Sequence, residues 1–305
     1  MKRSRETVLL GIGGWEHEVL SECLYGEGAE TAADRLARYA GVFDVGEVRS
    51  TFWDDTLGID DARAWADAVA GNRRFSFIVK VHSLLTHRRE FKPSATQGLR
   101  GLAQELARRG RLTGLLAQFP YSFTNTSATR YHLRRLSEVF AGFPLFVELR
   151  HDSWSQPGLP SFLKELGLQA VSGDLPRVNR YAPFLTRPGE GTAYFRFHGR
   201  NEKGWLLKGG DARYDYLYNS RELMELRRRV DATTAHSEHV IVIFNNTTGG
   251  KAVANALQFR AAMDDGKRIM VPAPALASFP YLESIAQPAA GEESLFSGAA
   301  YREAM

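Results

Sequence analysis

Eight short segments rich in Val, Ile, Leu and Phe alternate with segments of helical pattern, and this alternation constrains the fold more than any other feature of the chain. The apolar segments cover residues 8–13, 42–48, 75–81, 112–118, 145–149, 168–172, 193–198 and 240–244. The helical patterns cover residues 31–39, 60–70, 94–109, 128–140, 161–166, 220–230 and 250–263. Strands that alternate with helices in this way favour a parallel sheet covered by helices.

Eight strand–helix units within about 260 residues predict an α/β fold of the (β/α)8 TIM-barrel type. An open, doubly wound parallel sheet is the alternative fold. We expect one barrel domain over residues 1–265. Residues 266–305 are rich in Pro, Ala, Gly and Ser, so we expect a C-terminal tail that packs on the barrel or is partly mobile, and not a second domain.

Composition restricts the class of protein. No apolar run approaches the roughly 18 residues that a membrane helix needs, and the apolar segment after the basic residues Lys2, Arg3 and Arg5 is too short for a signal peptide. The single cysteine, Cys23, excludes an internal disulfide and a cysteine-based metal site. We therefore expect a cytoplasmic protein without a membrane partner. The net charge of +4 favours anionic partners only weakly, so nucleic acid stays open as a partner.

The seventh apolar segment and the residues after it show an unusual distribution of polar side chains. Phe195 and Phe197 share one face of the predicted strand, and the other face carries Tyr194, Arg196, His198 and Arg200. One interpretation is an ordinary strand whose polar face meets water. The other is that the phenylalanines pack under a helix while the charged row lines a cavity.

The other predicted strands also end in polar side chains. They are Glu47, Arg49, Lys80, His82, Gln118, Glu148, Arg150, His151, Asp174, Asn245 and Asn246. Because a TIM barrel gathers the carboxyl ends of its strands at one face, these groups are expected to converge. One such pair is often a structural ion pair, but the same pattern on five strands indicates a charged basin, since buried charges need partners or a ligand.

The residue types in this basin suit an anionic small-molecule substrate, either phosphorylated or carboxylated. We predict that the substrate-binding residues are Lys80, Gln118, Arg150, His151, Arg196, Arg200, Asn245 and Asn246. The candidates for catalytic proton transfer are Glu47, Glu148 and His198, although the role of counter-ion to an arginine suits either carboxylate better. Hydrolysis and isomerisation are the reactions that fit these groups, and no motif identifies a cofactor.

Two alternatives remain open. The first is a metal-dependent barrel enzyme, of the phosphodiesterase or sugar-isomerase kind, with Glu47, Glu148, Asp174 and His198 as ligands, although the nearby cations would compete with a metal ion. The second is a non-catalytic protein that binds nucleic acid or another anion. Exposed aromatic and basic side chains would then stack on bases and contact phosphates: Trp154, Lys203, Trp205, Lys208, Arg213 and Tyr214. Residues 199–219 are the natural lid or docking surface.

These strand-end motifs resemble the YecE-like family, a bacterial domain of unknown function with a TIM-barrel fold. The matching stretches are residues 11–15, 46–53, 80–87, 118–123, 148–154, 196–200, 214–218 and 244–256. Arg49 stands where the family usually has Asn, and Ile12, Gly13 and Gly46 also depart from the family pattern. The resemblance implies the barrel and the position of the basin, but it implies no reaction because none is established for the family.

Overall fold

The computed structural model of the protein describes residues 8–178, 181–182, 191–207, 210–234 and 237–287. Its strands are β1 Val8–Ile12, β2 Val45–Val48, β3 Ser76–Lys80, β4 Leu112–Gln118, β5 Leu145–Glu148, β6 Leu168–Asp174, β7 Gly191–Phe197 and β8 Ser237–Phe244. Its α-helices are α1 Ala32–Val42, α2 Ile59–Ala68, α3 Pro93–Arg108, α4 Ser127–Val139, α5 Leu159–Glu165, α6 Glu202–Leu206, α7 Ser220–Thr234, α8 Lys251–Met263 and α9 Ala273–Ser278.

The strands form one parallel sheet in the order β1-β8-β7-β6-β5-β4-β3-β2. The sheet curls until β1 and β2 are neighbours, where the Asp44 backbone N–H donates to the Leu10 carbonyl at 2.9 Å. The strands approach so closely here that a Cβ on Gly11 would lie 2.1 Å from the Val45 carbonyl oxygen, which explains the glycine. The sheet is therefore a nearly closed barrel, and the predicted TIM-barrel class is confirmed over the open sheet.

Each strand contributes to two separate cores because its side chains alternate between the two faces. The outer core lies between the strands and the helices. Phe197 of β7 packs there, with its ring 5.1 Å from that of Phe244 and 6.0 Å from that of Phe259 on α8. The inner core fills the barrel; we call it the apolar layer, and its residues are Val45, Ile78, Leu116, Phe146, Val171, Tyr194, Ile241 and Ile243.

The predicted elements agree with the observed ones except at boundaries. Each of the seven predicted helices starts within two residues of its observed start. The strand predicted at residues 42–48 starts at Val45 in the structure, because α1 continues to Val42. The short helices α6 and α9 were not predicted. Both have at most six residues, too few for an apolar stripe to be visible in sequence.

The chain after the barrel packs against it as far as the structure describes it. Ala275 of α9 and Leu282 are fully buried, and the Ser278 hydroxyl donates to the Glu22 carbonyl at 3.3 Å. The remainder of the predicted tail, residues 288–305, lies outside the described residues, as do Lys2, Arg3 and Arg5. Among the described residues, no helix is both long and apolar enough to cross a membrane.

Candidate active site

A layer of polar side chains lies directly above the apolar layer, toward the carboxyl ends of the strands. Each member follows an apolar-layer residue by two positions and so points into the barrel as well. We call this set the polar layer; its residues are Glu47, Lys80, Gln118, Glu148, Arg196 and Asn245. All six are buried, and the most exposed of them, Lys80, has 8% of its surface accessible. The converging basin that the strand ends predict is therefore present for these residues.

Arg196 of β7 is the centre of the polar layer. Its Nε lies 2.7 Å from Glu47 Oε1 and its Nη2 lies 2.8 Å from Glu47 Oε2, so the guanidinium donates to both oxygens of that carboxylate. Its Nη1 donates to Glu148 Oε2. Tyr194 adds a hydroxyl donor to Glu47 Oε1. Burial opposes ionisation, but Arg196 outweighs it and lowers the pKa of Glu47 below its usual value.

Glu148 is held by two guanidiniums. Arg150 Nε lies 2.6 Å from Glu148 Oε1, while Arg196 occupies Oε2. Burial again opposes ionisation, but Arg150 and Arg196 lower the pKa of Glu148 well below its usual value. All four carboxylate oxygens of Glu47 and Glu148 thus face a guanidinium. This geometry fits the counter-ion interpretation of both residues better than a general base, which needs a free oxygen.

His198 follows β7 and is neutral at pH 7, because burial lowers its pKa to about 4 although Glu148 opposes the shift. Asn245 Oδ1 accepts from Arg196 Nη2 at 3.3 Å, which orients the amide so that Asn245 Nδ2 donates to His198 Nδ1 at 3.0 Å. His198 therefore carries its proton on Nε2. That atom lies 3.2 Å from Glu148 Oε1, so the Nε2–H faces a carboxylate oxygen.

Two cations at this site have no carboxylate partner within the described residues. Lys80 Nζ lies 4.0 Å from the centre of the Phe52 ring, and burial together with Arg196, Arg49 and Arg150 lowers the pKa of Lys80 to about 7. Arg49, partly buried, donates from Nη1 to the Gly13 carbonyl at 3.1 Å. The sequence predicts Arg49 as a strand-end cation but not as a substrate-binding residue.

The segment after β7 covers one side of the polar layer. Trp205 of α6 is buried, with its ring 6.1 Å from that of His198 and 5.5 Å from the Arg150 guanidinium carbon. The Tyr214 ring lies 6.2 Å from that of His198. This segment belongs to the predicted lid or docking surface, residues 199–219. Buried Trp205 Nε1 and Arg213 Nε have no hydrogen-bond acceptor in the part of the chain that is described.

Residues 9–278 match the model of a family described as "Protein of unknown function DUF72". The protein belongs to the DUF72 family. The curated UPF0759 protein YunF of Bacillus subtilis is similar to it, with 26% identity over 84% of this chain and 95% of YunF.

Two solved DUF72 proteins have similar folds. The protein from Thermotoga maritima is 29% identical, covers 85% of this chain and 99% of its own, and superposes with a TM-score of 0.74. The protein from Enterococcus faecalis is 27% identical, covers 84% of this chain and 95% of its own, and superposes with a TM-score of 0.72. These matches establish the family and the barrel of this DUF72 protein, and they name no reaction.

The structure gives Arg200 different neighbours from those of Arg196. Its Nε and Nη2 lie 2.8 and 2.9 Å from the two oxygens of Asp174, and its Nη1 is 3.5 Å from Glu222. Asp174 also accepts a hydrogen bond from the Tyr218 hydroxyl at 2.8 Å. Arg200 is thus already paired with carboxylates, and its role in substrate binding stays a prediction.

Three other predicted binding residues of this DUF72 protein hold the backbone of loops. Gln118 Nε2 donates to the Phe119 carbonyl at 2.9 Å, and Asn246 Nδ2 donates to the Tyr216 carbonyl at 2.8 Å. His151 Nδ1 accepts from the Ser153 backbone N–H at 3.1 Å. These bonds give the three side chains a structural role in the loops, and substrate binding by them stays a prediction.

The residues of the two alternative functions are also placed by the structure. No three His, Cys, Asp or Glu side chains within the described ranges are placed to share a metal ion, and arginines occupy the oxygens of Glu47 and Glu148. The expectation that Trp154 is exposed is wrong, because it is 1% exposed and donates its Nε1–H to the Phe123 carbonyl at 2.7 Å. Trp205 is buried too, whereas Lys208 lies outside the described residues.

Proposed function

We propose that this DUF72 protein is an enzyme that binds a small anionic substrate above the polar layer of its barrel. The observation that carries the proposal is an excess of unpaired donors. Within the described residues, Trp205 Nε1 and Arg213 Nε are buried without an acceptor. Buried polar groups are nearly always hydrogen-bonded in native proteins, so the missing partner is expected to be an acceptor such as a phosphate or carboxylate group.

The charge balance supports the same proposal. Glu47 and Glu148 are matched by Arg196 and Arg150, as described above, whereas Arg49 and protonated Lys80 have no carboxylate partner among the described residues. A cation removed from water without a counter-ion destabilises a fold. An anionic substrate would supply that counter-ion and would therefore bind with a favourable electrostatic contribution.

The available groups fit proton transfer, as in an isomerase or a hydrolase. The neutral His198 presents an Nε2–H donor, and a Lys80 whose pKa is about 7 is protonated in part of the molecules at neutral pH. Glu47 and Glu148 hold the guanidiniums in place in this scheme.

We also infer that the YecE-like proteins, which the strand-end motifs resemble, form the same family as DUF72. We further infer that the protein acts in the cytoplasm.

A ligand screen tests the proposal. The melting temperature of the purified protein is measured with a panel of phosphorylated and carboxylated metabolites, and at least one is expected to raise it by several degrees, because ligands of the native state stabilise it. Arg49→Gln is expected to abolish that shift. Arg135→Gln is the matched control, since Arg135 is 45% exposed and pairs only loosely with Glu138 at 4.0 Å. If no anion stabilises the wild-type protein, the proposal is wrong.

A further inference from the structure

Lys80 occupies an unusual position for a lysine. It ends β3 at the barrel mouth, and its carbonyl accepts a hydrogen bond from the Thr51 hydroxyl at 2.6 Å, which fixes the strand end against the loop after β2. The Phe52 and Trp53 rings lie 4.0 and 6.0 Å from its Nζ. Within the described ranges no carboxylate lies within ion-pair distance of Nζ. The amine therefore contacts aromatic rings, and among the described side chains it forms no ion pair.

The charged groups around Lys80 disfavour its ammonium form. Arg49 follows β2, Arg150 follows β5 and Arg196 lies on β7, and all three guanidiniums act against a positive charge at Nζ. Glu47 acts in the opposite direction, but its oxygens are bound by Arg196. His87, on the turn after β3, is itself kept neutral at pH 7, because burial and Lys80 lower its pKa to about 4. A neutral amine is consequently present at a pH where ordinary lysines are protonated.

We propose that Lys80 Nζ forms a Schiff base with the carbonyl carbon of an aldehyde or ketone that carries a carboxylate or phosphate group. The inference rests on the proposed function and sharpens it, since it names the substrate class: a carbonyl compound with an anionic group. Desolvated lysines beside other cations are a recognised type of activated amine nucleophile. The anionic group would pair with Arg49 and Arg150, and the carbonyl would lie at Lys80.

The covalent step is balanced without any further reactant. Neutral Nζ bonds to the carbonyl carbon while the C–O π electrons move to oxygen, giving a carbinolamine after one proton passes from nitrogen to oxygen. The oxygen then takes a second proton from solvent and leaves as water, so that a protonated imine remains. The imine carries the positive charge near the Phe52 ring, where the lysine ammonium would otherwise lie.

Reductive trapping tests the inference. The full-length protein is incubated with pyruvate, glyoxylate or dihydroxyacetone phosphate and sodium cyanoborohydride at pH 7, and the modified lysines are located by peptide mass spectrometry. Trapping at Lys80 is expected to be at least about tenfold faster than at Lys92, which is 56% exposed and serves as the internal control. Between pH 6 and 9 the rate of trapping at Lys80 should rise and then level off.

Two variants complete the experiment. Lys80→Arg keeps the charge and Lys80→Met keeps the length, and either folded variant should lose the fast adduct while trapping at Lys92 is unchanged. If an anion raises the melting temperature in an Arg49-dependent manner but Lys80 is trapped no faster than Lys92, the Schiff base is refuted and the proposed function stands. If no anion binds and no fast adduct forms, both are refuted.

Discussion

The apolar layer and the polar layer of the barrel lie two residues apart on the same strands, yet different interactions stabilise them. Ile78 is followed by Lys80, Phe146 by Glu148, and both layers are almost fully buried. The apolar layer is stabilised by removal of hydrocarbon surface from water and by close packing. The polar layer must instead balance the desolvation of charges against their mutual attraction.

The difference marks the polar layer as the part of the barrel interior that stability alone does not explain. Apolar side chains of similar volume would fill the upper layer at least as stably as an ion-pair network. We infer that the network around Arg196 serves the proposed substrate site, because it lies at the carboxyl ends of the strands, where TIM-barrel enzymes have their active sites. The comparison can be tested by removing members of each layer in turn.

The largest expected effect comes from Arg196. Arg196→Met would leave the buried carboxylates of Glu47 and Glu148 short of their main counter-ion, so the free energy of unfolding should fall by about 3–5 kcal/mol. Ile241→Val in the apolar layer is the matched change on the neighbouring strand, with an expected cost of about 1 kcal/mol. Urea denaturation at pH 7 measures both.

If Arg196→Met lowers the free energy of unfolding less than Ile241→Val does, then Glu47 and Glu148 do not depend on Arg196 as their counter-ion. The two layers would then be equivalent in energy, and the contrast between them would carry no information about function.

The sequence predicted which side chains share the barrel interior as long as they lie on a strand. The period of two placed Tyr194 and Arg196 on one face and Phe195 and Phe197 on the other, and the structure confirms both faces. Glu47, Lys80 and Glu148 follow from the same rule on their own strands, because each lies two residues beyond an apolar-layer residue.

The rule fails once the strand ends. Arg200 has the same parity as Arg196 and His198, but β7 ends at Phe197 and Gly199 has a φ of +91°, a left-handed backbone conformation that breaks the alternation. Arg200 therefore turns to Asp174. Trp205 and Arg213 were not predicted to line the basin because their positions depend on the path of a loop, and a loop path has no sequence period.

Lys80 gives the second prediction, of opposite sign. Lys80→Met removes an unpaired buried cation, so it should raise the free energy of unfolding at pH 7 by about 1–2 kcal/mol. The pKa of Lys80 is about 7 in the folded protein, below its unfolded value, so the unfolded chain binds more protons between pH 7 and 10. Wild-type stability should thus gain from this group as the pH rises through that window.

Denaturation curves at pH 7, 8.5 and 10 check this prediction, with Lys92→Met as the control. Lys92 is 56% exposed, and its replacement should change stability by less than about 0.5 kcal/mol at each pH. A Lys80→Met variant that is less stable than wild type at pH 7 would indicate that Lys80 has a counter-ion, contrary to the charge balance of the polar layer.

The smallest expected effect concerns His198. Its pKa of about 4 lies below the unfolded value, so the unfolded chain binds more protons as the pH falls from 6.5 to 4, and stability should decrease over that interval. Long-range proton–nitrogen NMR should show a neutral ring protonated on Nε2 down to about pH 5. Asn245→Ala removes the donor to Nδ1 and should introduce the other tautomer at a cost of about 1 kcal/mol. A wild-type His198 that titrates near pH 6.5 would mean that water reaches the ring. The polar layer would then be an open surface cleft. It would not be the desolvated interior that contrasts with the apolar layer below it.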